Sequence, residues 1–312
     1  MFSCCHPQLP EVAQVALMLN IVCGFGVGEV AAAFLSGHAA MEKRIARGKK
    51  MLAGSMRLFA LTDPEHGDVA QRLSAVQRAL YLLFNEGYHG AHAQSAVRAE
   101  LCVEAMRLAE LLLAHEVTAT PSTHALIALM YLNAARLPTR IDASGNLSSL
   151  YDQDRSRWDR ALIARGEDLF DRAAIGTDPT EYHLEAAIAS MHASATSAKE
   201  TRWDIIISLY DTLLALRPSP VVALNRAIAV AQLDGPVRGL TEIEVIADRE
   251  RLSDYPFYFA AMGELELQCG RTDAARGHLE AARALARSSM ERTFFEHRIA
   301  ACGATAHQAP TP

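Results

Sequence analysis

Apolar residues recur every three to four positions through most of this chain, and strict two-residue alternation is scarce. That is the spacing of amphipathic helices. Pro10 opens the first helix, with Glu11 in its first turn, where the helix dipole favours a carboxylate. Val12, Val15, Ala16, Leu19 and Val22 share one face, and Gly24-Phe25-Gly26 ends the run. A second, short helix carries Val27, Val30, Ala31, Phe34 and Leu35, and Ser36-Gly37-His38 turns the chain. A third helix is expected from Ala39 to Ala53, with Met41, Ile45, Gly48 and Leu52 on one stripe and Lys43, Arg44, Arg47 and Lys50 fanned out opposite.

The stretch from Gly54 to Asp68 mixes Gly, Pro and charge and reads as a linker. Gln71 to Phe84 follows as a helix that should stop at Asn85-Glu86-Gly87-Tyr88, with Gly87 as the residue just past its end. Further helices are expected over Val97–His115 and Pro121–Arg136. The irregular segment Leu137–Leu150 holds the turn signal Asp142-Ala143-Ser144-Gly145-Asn146. Another helix should run to about Ala174, and Pro179 should open the next. From Trp203 the pattern becomes repetitive. One helix, Trp203–Leu216, is broken by Pro218 and Pro220. Two pairs follow, Val221–Gln232 with Pro236–Ala247 and Pro256–Cys269 with Thr272–Ala286. Gly235 precedes Gly270 by 35 residues, and Gly263, Gly270, Ala275, Leu279 and Ala282 fit the tetratricopeptide alternation of small and large residues. Such a stack exposes a concave surface suited to a protein or peptide partner.

Composition supports an all-α protein. Ala and Leu dominate the 312 residues, half the chain is apolar and 21% is charged. The net charge of −6 is unevenly spread: residues 1–57 carry six Lys/Arg against three Glu, or +3, which leaves −9 for the rest. A small basic head thus precedes a large acidic body. Val12–Gly28 is uncharged, but Gln14, Asn20 and three glycines interrupt it and no Lys or Arg precedes Lys43. A buried helix and turn is expected there, not a membrane span or signal segment. The six scattered cysteines make no C-x-x-C pair and fit a reducing cytoplasm. Cys4-Cys5-His6 has poor chelate geometry, so no metal or other cofactor is expected.

Two features carry candidate chemistry. The short helix, tight turn and basic-faced helix have the spacing of a helix-turn-helix. Lys43, Arg44, Arg47 and Lys50 could neutralise phosphates or read guanine edges, with Glu42 a cytosine reader; the bland alternative is a solvated helix face. The other is Tyr151-Asp152-Gln153-Asp154-Arg155-Ser156-Arg157-Trp158-Asp159-Arg160, six charges around one of the chain's two Trp residues. It reads either as an ion-pair network that docks helices or as a binding or catalytic site. An enzyme built on Glu86, Asp152, Asp154 and His183 lacks a nucleophile–base pair, phosphate loop or metal spacing, so no catalytic residues are expected. His183 and His192 are expected to be packing groups.

Taken together, Cys4-Cys5-His6-Pro7, the helix-turn-helix, Phe84-Asn85-Glu86-Gly87-Tyr88, Asp152 to Asp159 and Leu224-Asn225-Arg226-Ala227 resemble one family. The chain looks like an extracytoplasmic-function RNA polymerase sigma factor of the group with a C-terminal tetratricopeptide-like extension, to about Arg298. The resemblance implies that residues 1–55 are the region 4 module, which docks on core RNA polymerase and reads the −35 element of promoter DNA. It implies a linker at 56–67, a helical extension at 68–301 that modulates activity, and a disordered tail at 302–312. Asn85, Glu86, Gly87, Tyr88, Asp152, Gln153, Asp154, Arg155, Arg157, Trp158, Asn225 and Arg226 then belong to the extension as structural or partner-binding positions. The family's region 2 domain, which melts the −10 element, has no counterpart before residue 10. Gly26 stands where the family favours a capping Ser, Gly28 lies inside the second helix, and Ala32 and Ala40 replace a usual Arg and a usual Thr or Ser. Each of the last two swaps removes a potential DNA contact.

Overall fold

The computed structural model describes residues 1–54, 67–90, 95–176 and 178–306 of the chain. It is all-α: among the described residues there is no strand, only an isolated bridge between Ile141 and Leu147. The helices are α1 (Glu11–Ile21), α2 (Val27–Ala33), α3 (His38–Gly54), α4 (Gly67–His89), α5 (Ala99–Glu110), α6 (Pro121–Ala134), α7 (Leu137–Arg140), α8 (Arg160–Ala173), α9 (Glu181–Ser194), α10 (Trp203–Leu216), α11 (Pro220–Asp234), α12 (Pro236–Glu244), α13 (Pro256–Gln268), α14 (Thr272–Ala284) and α15 (Ser289–Ala306). Four of them, α6, α11, α12 and α13, begin on proline, whose fixed φ suits a helix start and whose missing N–H is no loss there. Pro220, read from sequence as a breaker, is thus the first residue of α11. The linker expected at 56–67 lies outside the described residues as far as residue 66, and Gly67 opens α4. The segment expected to be disordered from 302 continues as helix to Ala306, because Cys302 is buried against Ala275 and Leu279; residues 307–312 are outside the described part.

The chain forms two compact units. The first comprises residues 1–92, 97–134 and 161–177. Its α1 is buried at every position from Ala13 to Leu19, with α3 and α4 as its neighbours. The ring of apolar contacts explains why α1 shows no polar stripe. The 310 turn Phe2–Cys4 also lies against α4, where buried Arg72 donates through Nη1 to Phe2 O at 3.1 Å. Cys5 is fully buried, and burial pushes its thiol up to about 12; Cys23 is pushed up to about 11 for the same reason. Both are poor thiolates. No group of three or more His, Cys, Asp or Glu residues among the described residues is arranged to hold a metal ion. Helix α6 is buried at every position from Ala125 to Met130, and α8 crosses it at Gly166, where a Cβ would lie 2.8 Å from Leu132 Cγ.

The second unit comprises residues 93–96, 135–160 and 178–312. Here α9 to α15 pack each on the next. Leu224, Ala227, Ala231, Ile243, Leu252, Tyr258 and Leu265 form one core, and Ala275, Leu279 and Cys302 another. Glycines set the crossings. A Cβ on Gly239 would lie 2.4 Å from Ala231 Cβ, and one on Gly263 would lie 2.8 Å from Leu279 Cγ. Gly235 and Gly270, 35 residues apart in sequence, both turn the chain with positive φ, 92° and 76°. No helix among the described residues is long and apolar enough to cross a membrane.

Candidate functional site

The basic face belongs to α3. Met41, Ile45 and Gly48 are buried, and Gly48 lies so close to Leu17 of α1 that a Cβ would meet Leu17 Cδ1 at 2.7 Å. With that stripe held inward, Glu42, Lys43, Arg47 and Lys50 are exposed and Arg44 is half-buried on the flank. None of the four cations makes an ion pair with a described residue. Between Leu9–Ala13 and α3 lies a cleft of about 540 Å³, lined on the α3 side by Lys43, Arg44 and Arg47.

Ahead of α3, Gly26 is the N-cap of α2. Its N–H is capped by Glu29 Oε2 at 2.8 Å, but glycine has no oxygen to return to the helix. The turn into α3 departs from expectation. Helix α2 stops at Ala33, and Leu35, read from sequence as part of that helix, is the left-handed residue of the turn, with φ 48°. Ser36 N–H closes back on Ala31 O at 3.0 Å, which forces that conformation on the residue it encloses.

Gly87 does not end a helix. Helix α4 runs through it to His89, and Gly87 instead lets α5 approach: a Cβ there would meet Arg98 O and Cys102 N, both at 2.8 Å. Gly87 O accepts the Arg98 N–H at 2.7 Å, and Cys102 Sγ donates to Phe84 O at 3.5 Å. Buried Glu86 takes Arg98 Nη2 at 2.7 Å, and the same nitrogen reaches Glu29 Oε1 at 3.3 Å. Buried Tyr88 stacks on Phe84, with centroids 5.9 Å apart, and Asn85 is half-buried.

The charged motif from Asp152 to Trp158 is organised around buried Gln153, Arg155 and Trp158. Arg155 donates through Nη1 to His192 O at 2.9 Å and Ala195 O at 3.2 Å, capping the negative end of α9. Its guanidinium also lies 5.1 Å from the Trp158 ring, with Arg136 at 5.5 Å. Trp158 Nε1 donates to Thr139 Oγ1 at 3.1 Å, and Gln153 Oε1 accepts from that hydroxyl and from Arg136 Nε, both at 3.3 Å. The carboxylates turn outward. Asp154 caps the 310 turn Arg155–Arg157 by accepting from Ser156 N at 3.0 Å and Ser156 Oγ at 2.6 Å, and those bonds hold it below the usual carboxylate range. Asp152 accepts from Ser149 Oγ at 2.6 Å, and Arg157 is exposed. The motif's buried cation thus rests on backbone carbonyls and an aromatic ring, where ion pairing between neighbours was expected.

Burial, then the charges of Arg136 and Arg155, lower the pKa of His192 from 6.5 to about 3. His183 Nδ1 accepts the Thr180 N–H at 3.0 Å and so caps α9. Arg226 ties α11 to both neighbours, through Asp211 of α10 at 2.5 Å and Glu242 of α12 at 2.6 Å, beside exposed Asn225. Sequence patterns gave no hint of Arg98 or Thr139, each of which acts through a neighbour that only folding supplies; His192, read from sequence as a packing group, is buried.

Residues 72–174 match a family of unknown function, DUF6596. That stretch runs from α4 through α8 and holds both Asn85–Tyr88 and the Asp152–Trp158 motif. The uncharacterized protein R00370 of Rhizobium meliloti (strain 1021) is 41% identical over 299 residues, covering 96% of this chain and 70% of that protein. This chain belongs to the R00370 family. The likeness to R00370 spans basic helix and helical array together, since 96% of the chain is covered. No solved structure matches the chain.

Proposed function

We propose that this protein is a sigma-factor-type regulator of transcription initiation in the cytoplasm. In this reading α2 and α3 form a helix-turn-helix that contacts −35 promoter DNA and core RNA polymerase, and the helical array modulates that activity as a binding module without catalysis. The observation that carries the reading is the α3 face: Lys43, Arg47 and Lys50 are exposed opposite a stripe locked by Met41, Ile45 and Gly48. A helix so held can enter a major groove and place its cations on phosphates. The resemblance of the head, the Asn85–Tyr88 segment and the Asp152–Asp159 motif to that sigma group supplies the partner.

Titration of a labelled duplex at several salt concentrations tests the DNA contact. Binding is expected to weaken with salt, and Lys43→Ala with Arg47→Ala should flatten the log–log slope by about 2. Charge reversal of Lys43 and Arg47 should abolish binding while the helical content stays constant. Unchanged affinity in the reversed variant would sink the DNA reading. Co-purification with core RNA polymerase tests the other half.

A second reading is a protein-binding array with a vestigial head. It is favoured by the close α13–α14 hairpin at Gly263, which is built as tetratricopeptide pairs are. Cellular activity that survives Lys43 and Arg47 reversal would favour it.

A further inference from the structure

Arg98 joins three elements of the first unit. It stands at the start of α5, its backbone N–H bonds Gly87 O in α4, and its Nη2 reaches Glu86 of α4 and Glu29 of α2. The two carboxylates are not equivalent. Glu86 is 6% exposed and 2.7 Å from the guanidinium; Glu29 is 26% exposed and 3.3 Å away. The Glu86 bond is the drier and shorter, so it is the stronger of the two, and the link to α2 is the one that yields first.

Glu29 is placed to feel that link. Its Oε2 caps Gly26 N–H at the start of α2 while Oε1 faces Arg98. Helix α2 has seven residues, and buries Val30 and Ala31. A helix so short has no stability of its own and takes its position from tertiary ties. It is followed closely by α3, with the turn pinned by Ser36 N–H on Ala31 O. Helix α1 grips α3 at Gly48, and α2 packs on α3 as well, so where α2 sits bears on how the start of α3 is presented.

We propose that Glu86–Arg98–Glu29 is a positioning latch through which the α4–α5 helices of the array set the placement of α2, so that an event that moves Arg98 alters how α3 meets DNA. Arg98 and Glu86 are positioning residues and touch no DNA. The final step rests on the DNA reading above; the latch itself does not.

Hydrogen exchange of the full chain, read by mass spectrometry, tests it with Glu29→Gln, Arg98→Met and the double variant. Glu29→Gln keeps an oxygen for Gly26 N–H and removes the charge. Exchange of α2 amides is expected to rise about tenfold in Arg98→Met and less in Glu29→Gln. The double variant should exchange no faster than Arg98→Met, and α13–α14 amides should stay as in the wild type. Unchanged α2 exchange in Arg98→Met, or effects that add in the double variant, would overturn the latch. Should Arg98→Met not fold, Arg98→Lys replaces it: the charge stays but its reach to two carboxylates is lost, and α2 exchange at the wild-type rate would overturn the latch equally. Duplex affinity measured on the same variants separates the two ideas. Faster α2 exchange with no DNA binding by the wild type keeps the latch and removes the DNA reading; faster exchange with weakened binding supports both.

Discussion

Gly28 occupies the second position of α2, and a Cβ built there would meet only His38 Cδ2, at 3.9 Å. Nothing in the fold needs a glycine at that point. Gly28→Ala should raise stability by about 0.5–1 kcal/mol, mainly by restricting the unfolded chain, and a urea midpoint shifted upward with unchanged slope would show it. His192 makes the opposite kind of contribution. Its ring is held neutral, with a folded pKa of about 3 against 6.5 unfolded. Between those values the unfolded chain takes up a proton that the folded chain refuses. That contribution is complete above pH 6.5 and is lost as pH falls towards 3, by up to about 1.4 kcal/mol per pH unit. His192→Gln should flatten the fall in stability between pH 7 and pH 4.5. An identical pH dependence in wild type and variant would show that burial there does not hold the ring neutral. The sequence suggested a packing role for His192 but not the two arginines that face it, and it gave no sign of the open space beside Gly28.

At the scale of elements, helical periodicity placed most helices within a few residues of where they lie, and prolines marked several starts. Asn85-Glu86-Gly87-Tyr88 has the composition of a helix end, yet α4 continues to His89 because buried Leu82, Leu83, Phe84 and Tyr88 keep it packed. Tertiary burial outweighs the roughly 1 kcal/mol that an interior glycine costs. Gly87 is required by the α4–α5 crossing, where any Cβ would press on the backbone of Arg98 and Cys102. Gly87→Ala is therefore expected to destabilise by about 1–3 kcal/mol despite its better helix propensity, with a matching drop in thermal midpoint. A stabilised variant would contradict the crossing. At Gly263 the repeat spacing itself announced a helix pair, and a Cβ there would press on Leu279.

For the whole molecule, the sequence divides the chain into a basic head and an acidic body, while contact groups the head with α4–α6 and α8 in one unit. The seven consecutive buried residues of α1 need neighbours on all sides, and α3 and α4 supply them. A chain beginning at residue 68 should expose the surface of α4 that α1 covers, bind a hydrophobic dye and melt well below the full protein; dye binding and melting unchanged from the full chain would mean that the head only rests on α4. The sequence alone determined the all-α class, the positions of most helices, the 35-residue spacing of Gly235 and Gly270 and the basic stripe of α3, because each is written in local periodicity and composition. Tertiary structure decided the rest: that Gly87 is a crossing, that Arg155 caps α9 while Asp154 and Asp152 face solvent, and that Arg98 binds α2 to α4. Those outcomes depend on which side chains meet across long separations and on what burial does to charge, and neither is encoded in the spacing of any one segment.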